Sequence, residues 1–197
     1  MDLTNEWYFY EQALDKTTCN KIVKLASKDF EKGTVIEESG FRLTSKRISD
    51  VFWTQEQWLY DLVWPYMEAA NETAGWKYDI KAAEAMQITR YKKGGFYNFH
   101  KDGRSDTLGA YDKPENKFMH GNIRKLSMSI ILNNNYEGGQ LQFVSLNQDG
   151  KVKIYTPKNQ NTGYIIVFPS FMGHRVKSVT RGVRYSLVCW FLGLPFK

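Results

Sequence analysis

The chain has 197 residues, is 42% hydrophobic and contains five prolines, enough to bury a substantial core and short enough for one globular domain. No stretch approaches the roughly 18 uninterrupted apolar residues of a membrane helix. The opening MDLTNEWYFYEQ carries acids and polar groups where a signal peptide would be apolar, so a cytoplasmic protein with no membrane segment is expected. The net charge is +6, but Lys and Arg are scattered, densest at Lys92-Lys93, Arg124-Lys125 and residues 175–184, with no basic tail or finger motif. That pattern reads first as a solvated basic face and second as a surface for an acidic macromolecule; a nucleic-acid partner is disfavoured. Cys19 and Cys189 are far apart, and Cys189 lies in an apolar run, so free buried thiols are expected.

The first third reads as helical. Residues 14–30 place Leu14, Ile22, Val23, Leu25, Ala26 and Phe30 at near-helical spacing behind the candidate caps Asp15 and Thr17. Thr54-Gln55-Glu56-Gln57 has the form of a capping box, and Trp58, Leu59, Leu62, Val63, Tyr66 and Met67 then recur every three to four residues, predicting a helix that ends near 71–75. From about residue 85 the pattern changes to short strands: 86–91, 96–100, 126–133, 140–145, 152–156, 163–169, 175–179 and 183–193, divided by Gly, Asn and Asp turns. Eight short strands without intervening helices predict a mainly β fold, a jelly roll or double-stranded β-helix core buttressed by the N-terminal helices. One domain over 1–197 is expected, with 1–84 mainly helical support and 85–197 the core. The segment 103–122 is polar and aperiodic, as functional loops are.

There are three histidines. His100 is followed at i+2 by Asp102, and on extended backbone such residues share a face. His174, after Phe168-Pro169-Ser170 and at the start of a strand-like run, supplies a third donor. Two imidazoles and one carboxylate on one side of a metal form the facial triad of non-haem Fe(II) oxygenases, with positions left open. His120, in the polar loop, reads as a surface histidine. A His-x-Asp pair alone arises often by chance. The last strand adds weight, because Arg184 and Ser186 share a face there, and a guanidinium fork with a neighbouring hydroxyl suits a carboxylate.

These residues carry a resemblance. Tyr91-Lys92-Lys93-Gly94-Gly95-Phe96-Tyr97-Asn98-Phe99-His100-Lys101-Asp102, Glu137-Gly138-Gly139-Gln140-Leu141-Gln142-Phe143 and Val167-Phe168-Pro169-Ser170 ahead of His174-Arg175-Val176 resemble segments of the 2-oxoglutarate oxygenases, in their prolyl 4-hydroxylase-like branch. The resemblance spans roughly residues 86–191. It implies Fe(II) held by His100, Asp102 and His174, 2-oxoglutarate as cosubstrate with its carboxylate on Arg184, O2, and ascorbate as an accessory cofactor. It also implies that Tyr91 hydrogen-bonds the cosubstrate. Trp190, six residues after Arg184 and on its face by alternation, resembles the tryptophan that packs near the target proline in peptidyl prolyl hydroxylases; a plain core role competes evenly. Arg124 resembles a substrate-side arginine of those enzymes, against a solvated charge at a strand start. Tyr97 falls opposite His100 by simple alternation, so a place in the cavity would need a bulge. Ile131 stands where some prolyl hydroxylases have a tyrosine that reaches the cosubstrate.

The implied reaction is hydroxylation of a C–H bond with release of succinate and CO2. The leading substrate is a prolyl residue in a peptide or protein, aimed by Trp190, Arg124 and the segments 42–52 and 103–122, expected to be mobile. A free amino acid or other small molecule is the alternative within the same chemistry, and a non-catalytic metal-binding jelly roll the alternative outside it. The nucleic-acid demethylase branch has an Arg-x-Asn-x-Thr-x-Arg strand that residues 184–188 do not resemble.

Overall fold

The computed structural model describes residues 6–26, 29–37, 40–42, 46–103, 108–146 and 149–196. Two sheets face one another, and two helices pack on the outer face of the larger. Its strand order is Tyr8–Tyr10, Ile165–Pro169, Ile123–Ile131, Arg184–Gly193, Met86–Tyr91, Asp50–Thr54, Glu31–Lys32, with Ala82–Ala83 also paired to Arg184–Gly193. The smaller sheet runs Val152–Tyr155, Leu141–Leu146, His174–Val176, Phe96–His100, Arg47–Ile48. This is the jelly-roll core that the strand pattern predicts.

Period-two alternation sorts the large sheet's side chains into two cores. Met86 and Ile88, Leu126, Met128 and Ile130, Ile165 and Val167, and Leu187, Cys189 and Phe191 bury against the helices. Helix α1 (Lys16–Leu25) contributes Cys19 and Ile22, and helix α2 (Gln57–Thr73) contributes Leu59, Val63, Met67 and Ala70. The opposite face, with Tyr91, Ile131, Ile166 and Phe168, meets Leu141, Phe143 and Val176 of the small sheet. The two faces of one sheet thus serve a structural core and a site. Both cysteines are buried and free.

Several sequence expectations are corrected here. Among the described residues up to 84, the two helices are accompanied by the short strands Tyr8–Tyr10, Glu31–Lys32, Val35–Glu37, Gly40–Arg42, Arg47–Ile48, Asp50–Thr54 and Ala82–Ala83, which the sequence pattern does not separate. Most of these strands have two or three residues and, apart from the pair Val35–Glu37 with Gly40–Arg42, distant partners, which leaves little local period to read. Within the segment 42–52, Arg47–Ile48 and Asp50–Thr54 are strands built into the two sheets; residues 43–45 and, in the other segment, 104–107 lie outside the described residues. The capping box does not form. Thr54 stays in strand pairing with Met86 and accepts only the amide of Glu56 at 3.3 Å, so α2 starts at Gln57 behind Glu56, which makes no side-chain cap. Asp15 does cap α1, accepting the Thr18 amide at 2.6 Å. Residues 175–179 divide into two strands, His174–Val176 in the small sheet and Val179–Gly182 paired with Tyr136–Gly138. No helix among the described residues is long and apolar enough to cross a membrane.

Candidate metal and cosubstrate site

His100 and His174 are directly opposed in the antiparallel pair of Phe96–His100 with His174–Val176. Asp102 lies just past the strand end, where its amide donates to the Ser170 carbonyl at 2.9 Å. That bond, rather than strand alternation, turns its carboxylate toward the histidines. The donor atoms of all three lie within 4.8 Å of one another, with Nε2 of His100 3.6 Å and Nε2 of His174 3.5 Å from the Asp102 oxygens. These separations are too long for hydrogen bonds and short enough for three donors to share one ion.

The protonation states suit a metal. Nδ1–H of His100 donates to the Asn98 carbonyl at 2.8 Å and that of His174 to the Met172 carbonyl at 2.9 Å, which fixes the tautomer that presents the Nε2 lone pair to an ion. Burial, then the nearby His174, pushes His100 down to about 3, so its ring is neutral. Burial opposes ionisation of Asp102. His174, His100, Arg124 and the Ser127 hydroxyl outweigh it and hold this carboxyl below the usual range, as an anion.

Arg184 is fully buried on the inner face of the last strand, opposite Tyr91, with its guanidinium carbon 5.5 Å from the Tyr91 ring centre. Nη1 donates to the Ser186 hydroxyl at 3.0 Å, while the buried Nε and Nη2 have no hydrogen-bond partner. Leaving donors of a buried cation unmet is costly, and a carboxylate fits both. Gly139 packs against its stem: with φ +66° there, a Cβ would stand 3.0 Å from Arg184 Cδ. The metal triad, Arg184, Ser186, Tyr91, Tyr97, Arg124 and Trp190 all line one cavity of about 880 Å³ that extends past Trp53 to α2.

Tyr97 enters this cavity through a bulge: His174 pairs with His100 and Val176 with Tyr97, two steps on one strand against three on the other. Arg124 enters the same way. Its neighbours Leu126, Met128 and Ile130 face the helices, and the register shift between Arg124 and Leu126 turns Arg124 inward. It is no solvated charge. It is mostly shielded from solvent, lies 4.0 Å over the Trp190 ring and binds Glu84. Trp190 is 6% exposed, and its Nε1–H is unpartnered. Ile131 is buried opposite Ser186. His120 is apart, on the loop beside Asp112. Sequence reasoning missed Trp53 and Glu84 in the cavity wall, and reached Arg47 and Tyr111 only as unnamed members of the segments 42–52 and 103–122. Only Trp53, in the apolar run Val51-Phe52-Trp53, left a signal.

Residues 86–192, more than half of the chain, match the model of the 2OG-Fe(II) oxygenase superfamily. The chain belongs to that superfamily. A provisionally named prolyl 4-hydroxylase of Acanthamoeba polyphaga mimivirus is 25% identical over 199 residues, taking in 96% of this chain and 75% of that protein. A PKHD-type hydroxylase of Prochlorococcus marinus strain MIT 9215 is 36% identical over 112 residues, 56% of this chain and 42% of its own length. Among solved structures, a Pseudomonas putida prolyl-4-hydroxylase superposes with a TM-score of 0.65 at 17% identity, over 95% of this chain and 92% of that one. A Trichoplax adhaerens prolyl hydroxylase, solved with a hypoxia inducible factor peptide fragment, gives 0.65 at 16% identity over 95% and 84%. The oxygenase is thus 2-oxoglutarate-dependent and prolyl 4-hydroxylase-like, and His100, Asp102 and His174 fit its Fe(II).

Proposed function

We propose that this oxygenase hydroxylates a prolyl residue in a peptide or protein segment, with 2-oxoglutarate leaving as succinate and carbon dioxide. The observation that carries the reading is the buried Arg184 fork, two donors unmet, in one cavity with the metal triad and Trp190. Fe(II) with 2-oxoglutarate and O2 supplies the means to hydroxylate an unactivated C–H bond. The chain's own residues do the rest. His100, Asp102 and His174 would hold the metal, their three donor atoms lying within 4.8 Å of one another. Arg184 and Ser186 fix the far carboxylate of the cosubstrate, and Tyr91 bounds it. Trp190 supplies a flat wall for a pyrrolidine ring, with Tyr97 stacked on His100 beside it, and Arg124, stacked on Trp190, holds that indole in place.

A peptide is favoured over a free amino acid by the cavity's reach. It continues from the metal past the half-exposed Trp53 to Gln57, Tyr60, Asp61 and Trp64 of α2, a length that a single residue leaves unfilled. The test is incubation of the protein with Fe(II), 2-oxoglutarate, ascorbate and proline-containing peptides in air. Succinate release together with a mass gain of one oxygen on proline supports the reading. Succinate release stimulated by free amino acids, with no peptide modified, overturns it.

A further inference from the structure

Arg124 stands in the substrate wall, yet the fold has already given it a partner. Its Nε and Nη2 donate to Oε1 and Oε2 of Glu84, both at 2.6 Å. The Tyr111 hydroxyl donates to the same carboxylate at 2.8 Å. Glu84 is held from its backbone too: its amide donates to the Trp190 carbonyl at 2.9 Å and its own carbonyl accepts the Tyr60 hydroxyl at 3.0 Å. The acid is only 9% exposed. Removing a carboxylate from water so close to a substrate chamber is costly unless its charge is used. What surrounds the pair is aromatic, with Trp190 5.8 Å from Trp53 and Tyr111 alongside.

We infer that Glu84 is a specificity-determining residue: by binding Arg124 bidentately it withdraws that cation from the substrate and leaves the aromatic wall at Trp190 and Trp53 without an unpaired charge, selecting prolines with uncharged rather than acidic neighbours. The inference rests on the prolyl-peptide reading above. An unpaired arginine here would reward a carboxylate on the residue beside the target; the paired one does not. Affinity at this wall then comes from ring packing on Trp190 and Trp53 and from the unmet Trp190 Nε1–H, which suits a peptide carbonyl.

Two peptides that differ only by Ala or Asp next to the proline test it. Wild-type protein is expected to favour the Ala peptide in kcat/KM, and in Kd by fluorescence anisotropy under anaerobic conditions with Fe(II) and 2-oxoglutarate. Glu84→Gln keeps an oxygen for Arg124 and Tyr111 but gives up the charge, and the Asp-to-Ala preference should rise about ten-fold or more. Glu84→Ala, which also leaves Arg124 unpaired, carries the test if Glu84→Gln does not fold, and the double variant Glu84→Gln/Arg124→Gln, with no unpaired charge, should keep the wild-type ranking. A merely structural Glu84 lowers both peptides alike; an unchanged ratio in Glu84→Gln, a reversed ranking in the double variant, or a wild-type preference for Asp overturns the inference alone. If wild-type protein hydroxylates neither peptide nor any other prolyl peptide, the underlying reading falls, and this one with it.

Discussion

The ring of Tyr97 lies flat on the ring of His100, with centroids 3.5 Å apart and planes 10° from parallel. Strand alternation forbids this contact between residues three apart, and the bulge in Phe96–His100 permits it. Behind Tyr97 the Arg47 guanidinium carbon stands 4.7 Å from its ring centre, itself tied to Ser49 and Gln87 at 2.7 Å each. The imidazole is therefore clamped between its Asn98 bond and a backed aromatic face. Tyr97→Phe keeps the stack and is expected to change metal affinity less than about three-fold, whereas Tyr97→Ala should weaken it by about ten-fold or more. Co(II) titration of the apoprotein measures both, and equal affinities for wild type and Tyr97→Ala would count against a positioning role.

Removing a donor is a harsher change than loosening one. Asp102→Ala and His174→Ala each leave two donors of three, and metal affinity should fall on the order of 100-fold or more. Metal analysis after desalting reads this directly. Retention of one equivalent by either variant would mean that the ligand set is misassigned.

The parts of this site that were legible in the sequence are those that obey strand alternation. Arg184, Ser186 and Trp190 share a face of one unbroken strand, so their convergence could be read from spacing alone. His100 and Asp102 were read from the same rule, although a backbone bond to Ser170 is what places Asp102. Tyr97 and Arg124 defeated it, because each face is set by a bulge that no local pattern announces. Glu84 was invisible, and Tyr111 legible only as part of the loop 103–122, for another reason. A single Glu and a single Tyr in irregular segments acquire meaning only when tertiary contacts bring them to Arg124. Thr54 shows the reverse error, a good capping signal overridden because the residue is committed to a sheet.

Near the N-terminus, the Tyr10 hydroxyl donates to the Tyr66 carbonyl at 2.9 Å, and Tyr66 in turn donates to the Ala13 carbonyl at 2.9 Å, which fastens the first strand to α2. Burial, with Tyr8 and Tyr66 adding to it, pushes Tyr10 up from 10.0 to about 12. Below pH 10 the folded and unfolded chains both keep this proton, and its contribution is fully present. Between pH 10 and about 12 the unfolded chain ionises first, so stability is lost as pH rises through that window. The urea midpoint of wild type should therefore fall relative to Tyr10→Phe from pH 10 to 12; a constant difference would show that Tyr10 is not shifted.

Arg184 gives the sharpest separation between stability and function. In the absence of cosubstrate its Nε and Nη2 are buried and unmet, so the residue burdens the fold it belongs to. Arg184→Met fills similar space without charge and is expected to leave the ligand-free protein as stable as wild type or up to about 2 kcal/mol more so. Saturation should reverse the order. 2-Oxoglutarate at a hundred times its Kd should stabilise metal-loaded wild type by about 2.7 kcal/mol, and the variant scarcely at all. The loss of a bidentate charge-assisted contact should raise the cosubstrate KM about a hundred-fold, with Co(II) affinity changed much less. Thermal melts with and without 2-oxoglutarate, set beside Co(II) titrations, check all three. A variant that melts well below wild type without ligand, yet still gains stability from 2-oxoglutarate, would show that Arg184 is a structural cation and that the carboxylate binds elsewhere.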